Sequence, residues 1–266
     1  MTGINTHALL DREVERIDPY AFMALLGKKV IHPGGRRSTA EMFGLAGFER
    51  GQRVLDVGAG VGTTAIDIAR EFGCHVTAVD IDPLMLTRAA ANVRAARLTS
   101  EVTIASGDIQ ALDFSDAAFD RVVVEAVTMF VDRPRAASEV VRVCRPGGRV
   151  LEHEFIYRKP PTDEVRRIFE GEVCPGIRFD TAEDWLDLYR TAGLDALQVT
   201  TGPFEMMTAR GMLRDEGLSS LMSMMARMFS RTAYLRKMAW LMPRMRRVSS
   251  SLGYVVLVGT KRHILS

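Results

Sequence analysis

A short apolar stretch that ends in three alternating glycines constrains this chain more than any other segment. Its first half, residues 53–57, is rich in Val and Leu and carries one acid, Asp56. Such a run is typical of a buried parallel strand. Its second half is Gly58-Ala59-Gly60-Val61-Gly62, where the missing Cβ atoms allow a tight turn and a close ligand approach. Helical periodicity follows over residues 63–72, so we predict strand, glycine loop and helix, an arrangement that binds polar or anionic groups.

The following hundred residues alternate between apolar runs and helical periodicity. Strands are predicted at 75–80, 102–105, 121–124 and 149–155, and helices at 83–98 and 134–143. Later in the chain we predict a helix at 182–192, capped by Thr181, and strands at 196–201 and 253–259. Alternation of this kind predicts βαβ units and a parallel sheet with right-handed crossovers.

Composition is that of an ordinary globular protein: 266 residues, 47% apolar and 26% charged. Apolar runs of 18 residues do not occur, so we expect no membrane-spanning helix, and the charged first 16 residues do not resemble a secretory signal. The three cysteines are scattered, which argues against disulfides and favours the cytoplasm. Spacing typical of a zinc site is missing, so the sequence predicts no metal.

Residues 1–50 precede the first strand and predict a helical lid. Two short helices, one from Leu9 to Ile17 and one over 20–26, are interrupted at Pro19. A turn, Ile31 to Thr39, leads to a helix over 40–46 that Ser38 or Thr39 can cap. Within the turn, His32 either faces the ligand or is a turn residue without a chemical role.

Residues 203–251 form an insertion before the last predicted strand. It contains ten of the fifteen methionines, and from Pro203 onward the chain has eleven Lys/Arg residues against three acids. The pattern predicts two amphipathic helices, at about 218–229 and 233–241. Three interpretations stay open: an adaptable substrate lid, a basic surface that contacts anionic lipid or a partner, or core and homodimer interface.

Acids follow several of the predicted strands, where ligands bind in doubly wound sheets. Asp80 can accept hydrogen bonds from both hydroxyls of a ribose, as in any adenosine ligand. The loop spacing is G-x-G-x-G rather than the dinucleotide spacing G-x-G-x-x-G. Asp56 would repel a pyrophosphate and stabilise an ammonium group. Asp108 can accept from an adenine amine, with Ile81 and Ile109 as apolar walls for the ring.

Five motifs over about residues 50–155 resemble class I S-adenosylmethionine-dependent methyltransferases, nearest to the small-molecule, ubiquinone/menaquinone-type group. They are Val54-Leu55-Asp56-Val57-Gly58-Ala59-Gly60-Val61-Gly62, Val79-Asp80-Ile81-Asp82, Gly107-Asp108-Ile109, Phe119-Asp120-Arg121-Val122-Val123 and Arg145-Pro146-Gly147-Gly148-Arg149. The resemblance implies an α/β, Rossmann-like doubly wound sheet of seven strands with an antiparallel last strand. It implies S-adenosylmethionine as cofactor, held by Asp56, Gly58, Ala59, Gly60, Thr63, Asp80, Ile81, Asp108, Ile109 and Glu125.

The resemblance does not extend to the methyl acceptor. The Asn-Pro-Pro-Tyr type of motif expected in nucleic-acid base methyltransferases is replaced by Glu125-Ala126-Val127-Thr128-Met129, so no nucleic-acid partner is expected. We expect methyl transfer, preferably to carbon or oxygen, on a small lipophilic or aromatic molecule. The alternatives are a thiol or nitrogen acceptor, or a binding or scaffold protein without turnover. Candidate catalytic residues are His32, Glu125 and His153. Alternation along the strand predicts that His153 lies on the face opposite to Glu152 and Glu154, where it is either a base or a buried, hydrogen-bonded histidine.

These expectations divide the chain into four segments: a lid at 1–50, a cofactor-binding core at 51–202, a helical insertion at 203–251 and a last strand at 252–266. The insertion would contribute substrate contacts, a peripheral membrane contact or a homodimer interface.

Overall fold

The computed structural model describes residues 11–28, 30–175, 177 and 179–263. The predicted start of the first helix, Leu9 and Leu10, lies outside them. The helices are α1 (Asp11–Arg16), α2 (Pro19–Leu26), α3 (Arg36–Ala46), α4 (Thr63–Phe72), α5 (Pro83–Ala96), α6 (Arg133–Val143), α7 (Asp163–Arg166), α8 (Ala182–Ala192), α9 (Ala209–Ser230) and α10 (Thr232–Val248). The strands are β1 (Arg53–Val57), β2 (His75–Asp80), β3 (Val102–Ser106), β4 (Phe119–Glu125), β5 (Cys144–Tyr157), β6 (Leu194–Pro203) and β7 (Leu252–Lys261).

The seven strands form one sheet in the order β3-β2-β1-β4-β5-β7-β6. Strands β1 to β5 pair in parallel, and β7 lies antiparallel between β5 and β6. The carboxyl ends of β1, β2 and β4 therefore meet at one edge, where the predicted site residues follow the strands. The predicted Rossmann-like sheet and its antiparallel last strand are confirmed.

Capping residues explain several helix starts. Asp18 and Asp82 accept hydrogen bonds from the first turns of α2 and α5, and a proline opens each of these helices. Thr181 forms a capping box with Asp184 at the start of α8, as predicted. Among the described residues no helix is long and apolar enough to cross a membrane.

The prediction for α3 was wrong at its start. The helix begins at Arg36 instead of Ala40, and Gly35 occupies the N-cap without a side-chain bond. Ser38 lies inside the helix, where its hydroxyl donates to the carbonyls of Pro33 and Gly35 at 2.8 Å. The turn before α3 is therefore tied to the helix by Ser38, a local contact that capping statistics do not anticipate.

The insertion helices are longer than predicted. Helix α9 starts at Ala209 and is kinked at Gly217, whose backbone is not helical, and α10 continues to Val248. Most of the insertion shares one apolar cluster with α1, α2 and the end of β5. We call this cluster the lid core; its buried members include Phe22, Met23, Leu26, Phe155, Phe169, Phe179, Phe204, Met206, Met224, Leu241 and Met245. The N-terminal helices and the insertion thus pack together at the end of β5.

Candidate cofactor and active site

The glycine loop is held against β2 by its own backbone. The N–H groups of Gly58 and Ala59 both donate to the carbonyl of Val79, at 2.8 and 2.9 Å, and Gly60 N–H donates to Asp80 Oδ2 at 2.8 Å. Gly58 and Gly60 have φ of +72° and +54°, a region that disfavours side chains. A Cβ on Gly58 would lie 2.2 Å from Val127, whereas one on Gly60 would meet no described atom within 4 Å. The loop is open on the Gly60 side.

Asp56 is a buried acid near the end of β1, two residues before the loop. It is 2% exposed, and its Oδ2 has no hydrogen-bond partner among the described residues. Burial raises the pKa of Asp56 to about 8, and repulsion from Glu125 and Asp80 adds to the shift. Because the protein alone leaves this oxygen unsatisfied, a cationic group of a ligand would stabilise it in the ionised form.

The other predicted cofactor residues lie along the same edge. Asp80 also accepts from the backbone of Asp82 at 2.9 Å, so both of its oxygens are already oriented. Asp108 is half-buried and accepts from Gln110 N–H at 2.8 Å. The two proposed adenine walls differ, since Ile81 is 66% exposed while Ile109 is 4% exposed and packs in the core. Thr63, at the first position of α4, is half-buried.

The three candidate catalytic residues lie together although they come from distant parts of the sequence. Glu125 and His153 are register partners on the neighbouring strands β4 and β5, and His153 Nδ1 is 3.1 Å from Glu125 Oε2. His32, in the turn before α3, has Nε2 3.8 Å from the same oxygen, and its ring centroid is 4.9 Å from that of His153. We call these three residues the His-Glu-His cluster.

Two threonines complete the cluster: the sequence analysis did not single out Thr64, and it considered Thr39 only as a helix cap. Thr64, in the first turn of α4, donates to Glu125 Oε1 at 2.7 Å. Thr39 donates to Glu125 Oε2 at 3.2 Å and lies 3.4 Å from His32 Nε2. A threonine at a helix start is too common a feature to be recognised from one sequence, so these contacts become visible only once the fold is known.

Electrostatics keep the cluster carboxylate ionised. Burial alone would raise the pKa of Glu125, but His32, His153 and Thr64 together lower it to about 2. For His32, burial dominates and lowers the pKa to about 4, against an opposing effect of Glu125. At neutral pH the cluster therefore presents an ionised carboxylate beside a neutral His32 imidazole.

The insertion holds the turn that carries His32. Glu216 Oε1 lies 3.3 Å from Lys28 Nζ and accepts from Val30 N–H at 3.1 Å, and both charged side chains are fully buried. Asp215 accepts from Arg36 N–H at 3.2 Å. We call Asp215 and Glu216 the clamp. It lies directly before the kink at Gly217 and fixes both ends of the turn that brings His32 to Glu125.

The edge of the sheet at the carboxyl ends of β1, β2 and β4 has features that fit S-adenosylmethionine. The unsatisfied oxygen of Asp56 suits an ammonium group, and Gly60 leaves open space where a side chain would stand. Asp80, oriented by the backbone of the loop, suits a ribose diol. The residues therefore match the chemistry of this ligand, including its net positive charge.

Comparisons with known proteins agree with this chemistry. A family model described as "Methyltransferase domain" matches residues 54–148. A protein of Haemophilus influenzae, named only as uncharacterized, is 30% identical over 204 residues, which are 74% of this chain and 80% of that protein. Methyltransferase GfsG of Streptomyces halstedii is 30% identical over 169 residues, 62% of this chain and 61% of that protein.

A solved structure shows the same fold over nearly the whole chain. The S-adenosylmethionine-dependent methyltransferase from Thiobacillus denitrificans, in complex with S-adenosyl-L-homocysteine, has a TM-score of 0.70 at 20% identity and covers 92% of this chain and 100% of its own. The family model, the relatives and this fold together show that the chain belongs to the class I S-adenosylmethionine-dependent methyltransferases, with S-adenosylmethionine as its cofactor.

Proposed function

We propose that the protein transfers the methyl group to a small lipophilic or aromatic acceptor, preferably at carbon or oxygen. The proposal rests on one observation: the His-Glu-His cluster adjoins the lid core at three points. Ile31 and Ala126, the neighbours of His32 and Glu125, pack against the lid core, and Phe155, two residues beyond His153, belongs to it. An acceptor that reaches the cluster would lie against aromatic and methionine side chains.

The residues take separate roles in this proposal. Asp56 and Glu125 stabilise the charged methionine part of the cofactor, Asp80 binds its ribose, and Asp108 with Ile81 and Ile109 binds its adenine. The bound cofactor supplies an electrophilic methyl group, so the protein mainly orients the acceptor and excludes water. When the acceptor atom carries a proton, the His-Glu-His cluster is placed to bind or accept it.

We infer that residues 1–50 and 203–251 act as two parts of one lid over the core formed by 51–202 and 252–266. The clamp supports this, because it ties the insertion to the turn that carries His32. Aromatic contacts in the lid, such as Tyr20 with Phe155 at 5.7 Å between centroids, give it an apolar inner surface. Methionines of the insertion can adapt such a surface to an irregular ligand.

The outer face of α9 supports a further proposal, a peripheral contact with an anionic membrane. Leu218, Met222, Met225 and Phe229 are 43–67% exposed at helical spacing. Residues 217–248 contain seven Lys/Arg residues and no acid. An apolar stripe on a basic segment favours an anionic lipid surface. Co-sedimentation with anionic and neutral vesicles tests this, and a salt-independent homodimer in light scattering would argue for the alternative partner, a second copy.

Free, buried thiols at Cys74, Cys144 and Cys174 support a reducing compartment, and we propose the cytoplasm. Nucleic acid is not among the proposed partners.

A turnover screen tests the proposed function. The protein is incubated with S-adenosylmethionine carrying a labelled methyl group and with phenols, quinols, sterols, polyketides, thiols, amines and a nucleic-acid control. We expect label in an apolar carbon or oxygen acceptor. Label only in a thiol or amine would contradict the acceptor class, and cofactor binding without transfer to any acceptor would favour a non-catalytic binding protein.

A further inference from the structure

The His-Glu-His cluster has the composition of a metal site. His32, Glu125 and His153 each offer one ligand atom, and these three atoms lie within 4.8 Å of one another. Two imidazoles and one carboxylate, with further coordination positions open, are a donor set for first-row divalent metals. The imidazole ligands favour Zn²⁺, Fe²⁺ or Co²⁺ over Mg²⁺ and Ca²⁺.

The spacing of the ligand atoms is near that of a bound ion. Metal–ligand distances of about 2.0–2.2 Å place neighbouring ligands roughly 3–3.5 Å apart. His153 Nδ1 and Glu125 Oε2 are already 3.1 Å apart, and His32 Nε2 is 3.8 Å from that oxygen. A movement of the His32 ring by about 0.5 Å toward Glu125 would bring this distance into the same range.

The charge of the surroundings favours a cation. Glu125 contacts the two imidazoles, which balance its charge only when they are protonated, and Asp80 adds a second carboxylate along the same edge. A divalent ion in the cluster would neutralise the Glu125 carboxylate on the side of the two imidazoles.

Neighbouring side chains hold the ligands in place. Thr64 donates a hydrogen bond to Glu125 Oε1, and Oε2 of the same carboxylate lies toward both imidazoles. The ring of Tyr254 packs edge-on against His153, with centroids 5.7 Å apart, and its hydroxyl donates to Glu41 at 2.8 Å. Such outer contacts orient metal ligands and account for much of their affinity.

We propose that His32, Glu125 and His153 bind one first-row divalent metal ion, and that this ion coordinates the acceptor. The second part rests on the proposed function; the first does not. With a hydroxyl acceptor, the O–H proton leaves to solvent, the oxygen lone pair forms the O–CH₃ bond, and the S–CH₃ bond breaks to give S-adenosylhomocysteine. The metal would thus select small molecules that carry an ionisable oxygen beside an apolar body.

Metal binding is tested directly on the full-length, untagged protein after dialysis against a chelator. Co²⁺ serves as the spectroscopic probe and Zn²⁺ as the competing ion. We expect one Co²⁺ per chain with visible absorption bands that Zn²⁺ abolishes. The variants Glu125→Gln and His32→Ala should bind Co²⁺ at least about 100-fold more weakly. The matched control is His75→Ala, since His75 is exposed at the opposite end of β2 from Asp80.

Three results would overturn the proposal or part of it. Absence of the Co²⁺ bands at millimolar Co²⁺, or equal affinity in Glu125→Gln, would exclude the site, provided that each protein keeps the far-UV circular dichroism spectrum of the folded chain. Full methyl transfer by the metal-free protein would exclude the coordinating role and leave the proposed function intact. One bound Co²⁺ without transfer to any acceptor would support the site while contradicting the proposed function.

Discussion

The two faces of β5 both bury ionisable side chains, but with opposite results. On one face, His153 contacts Glu125, whose pKa is lowered to about 2 by imidazole and hydroxyl donors. On the other, Glu152 and Glu154 are fully buried; burial raises the pKa of both, that of Glu154 to about 7. Tyr189 donates to Glu152, and Met129 N–H donates to Glu154, yet each carboxyl keeps one oxygen without a described partner. A buried carboxylate stays ionised when hydrogen-bond donors reach both of its oxygens. Of these three carboxyls only Glu125, on the face of β5 that carries His153, has such donors among the described residues.

The largest expected effect is a difference in enzymatic activity between substitutions on the two faces of β5. Glu125→Gln should lower the turnover number at saturating cofactor by about 100-fold or more, because the cluster loses its charge and its acid–base function. Glu154→Gln, on the opposite face of β5, should stay within a few-fold of the wild type. Turnover in the labelled-methyl assay measures both. Equal losses in the two variants would contradict the assignment of chemistry to the His153 face.

A second prediction concerns the contact between the insertion and the N-terminal segment, which cover the face of β5 that carries His153. Glu216→Ala leaves the buried ammonium of Lys28 without its partner, so the free energy of unfolding should fall by about 3 kcal/mol. Denaturant unfolding measures this change. Lys28→Met in the same chain should recover part of the loss, and a double-mutant cycle gives the coupling. Additive losses in the cycle would show that Glu216 and Lys28 do not stabilise the fold as a pair.

Sequence reasoning was most successful where local patterns decide the structure. The apolar runs of β1 and β2, the Gly62 and Gly73 boundaries of α4 and the Thr181 cap of α8 are each determined by neighbouring residues. The alternation along β5 also correctly placed His153 on the face opposite to Glu152 and Glu154.

Contacts between distant segments could not be predicted in this way. Glu216 and Lys28 are 188 residues apart, and nothing local indicates that one binds the other. The same holds for the site: His32, Glu125 and His153 were each selected separately, and their convergence depends on the register of β4 with β5 and on the clamp. Without that convergence, no metal-like donor set was visible in the sequence.

The third prediction uses Asp56, a carboxyl with a raised pKa that has a ligand to stabilise its charge. With a pKa of about 8 in the free protein, Asp56 is protonated at pH 6 and must release its proton to stabilise a cation. Affinity for S-adenosylmethionine should therefore rise by up to about tenfold per pH unit between pH 6 and 8. Titration calorimetry on wild type and Asp56→Asn isolates this effect, since titration of the ligand is common to both. Equal slopes would exclude Asp56 as the linked group.

The smallest expected effect concerns the face of β5 that carries Glu152 and Glu154. The pKa of Glu154 in the fold, about 7, lies above the ordinary glutamate value of 4.5, so its protonation stabilises the fold at low pH. That stability is fully present below about pH 4.5 and is lost as the pH rises through about 7. Glu154→Gln removes this titration and keeps an oxygen for Met129 N–H. The wild type should thus lose about 1–2 kcal/mol more than the variant between pH 5 and 8 in denaturant unfolding. Parallel pH profiles would mean that Glu154 is ionised in the fold, and that burial without donors does not distinguish the two faces of β5.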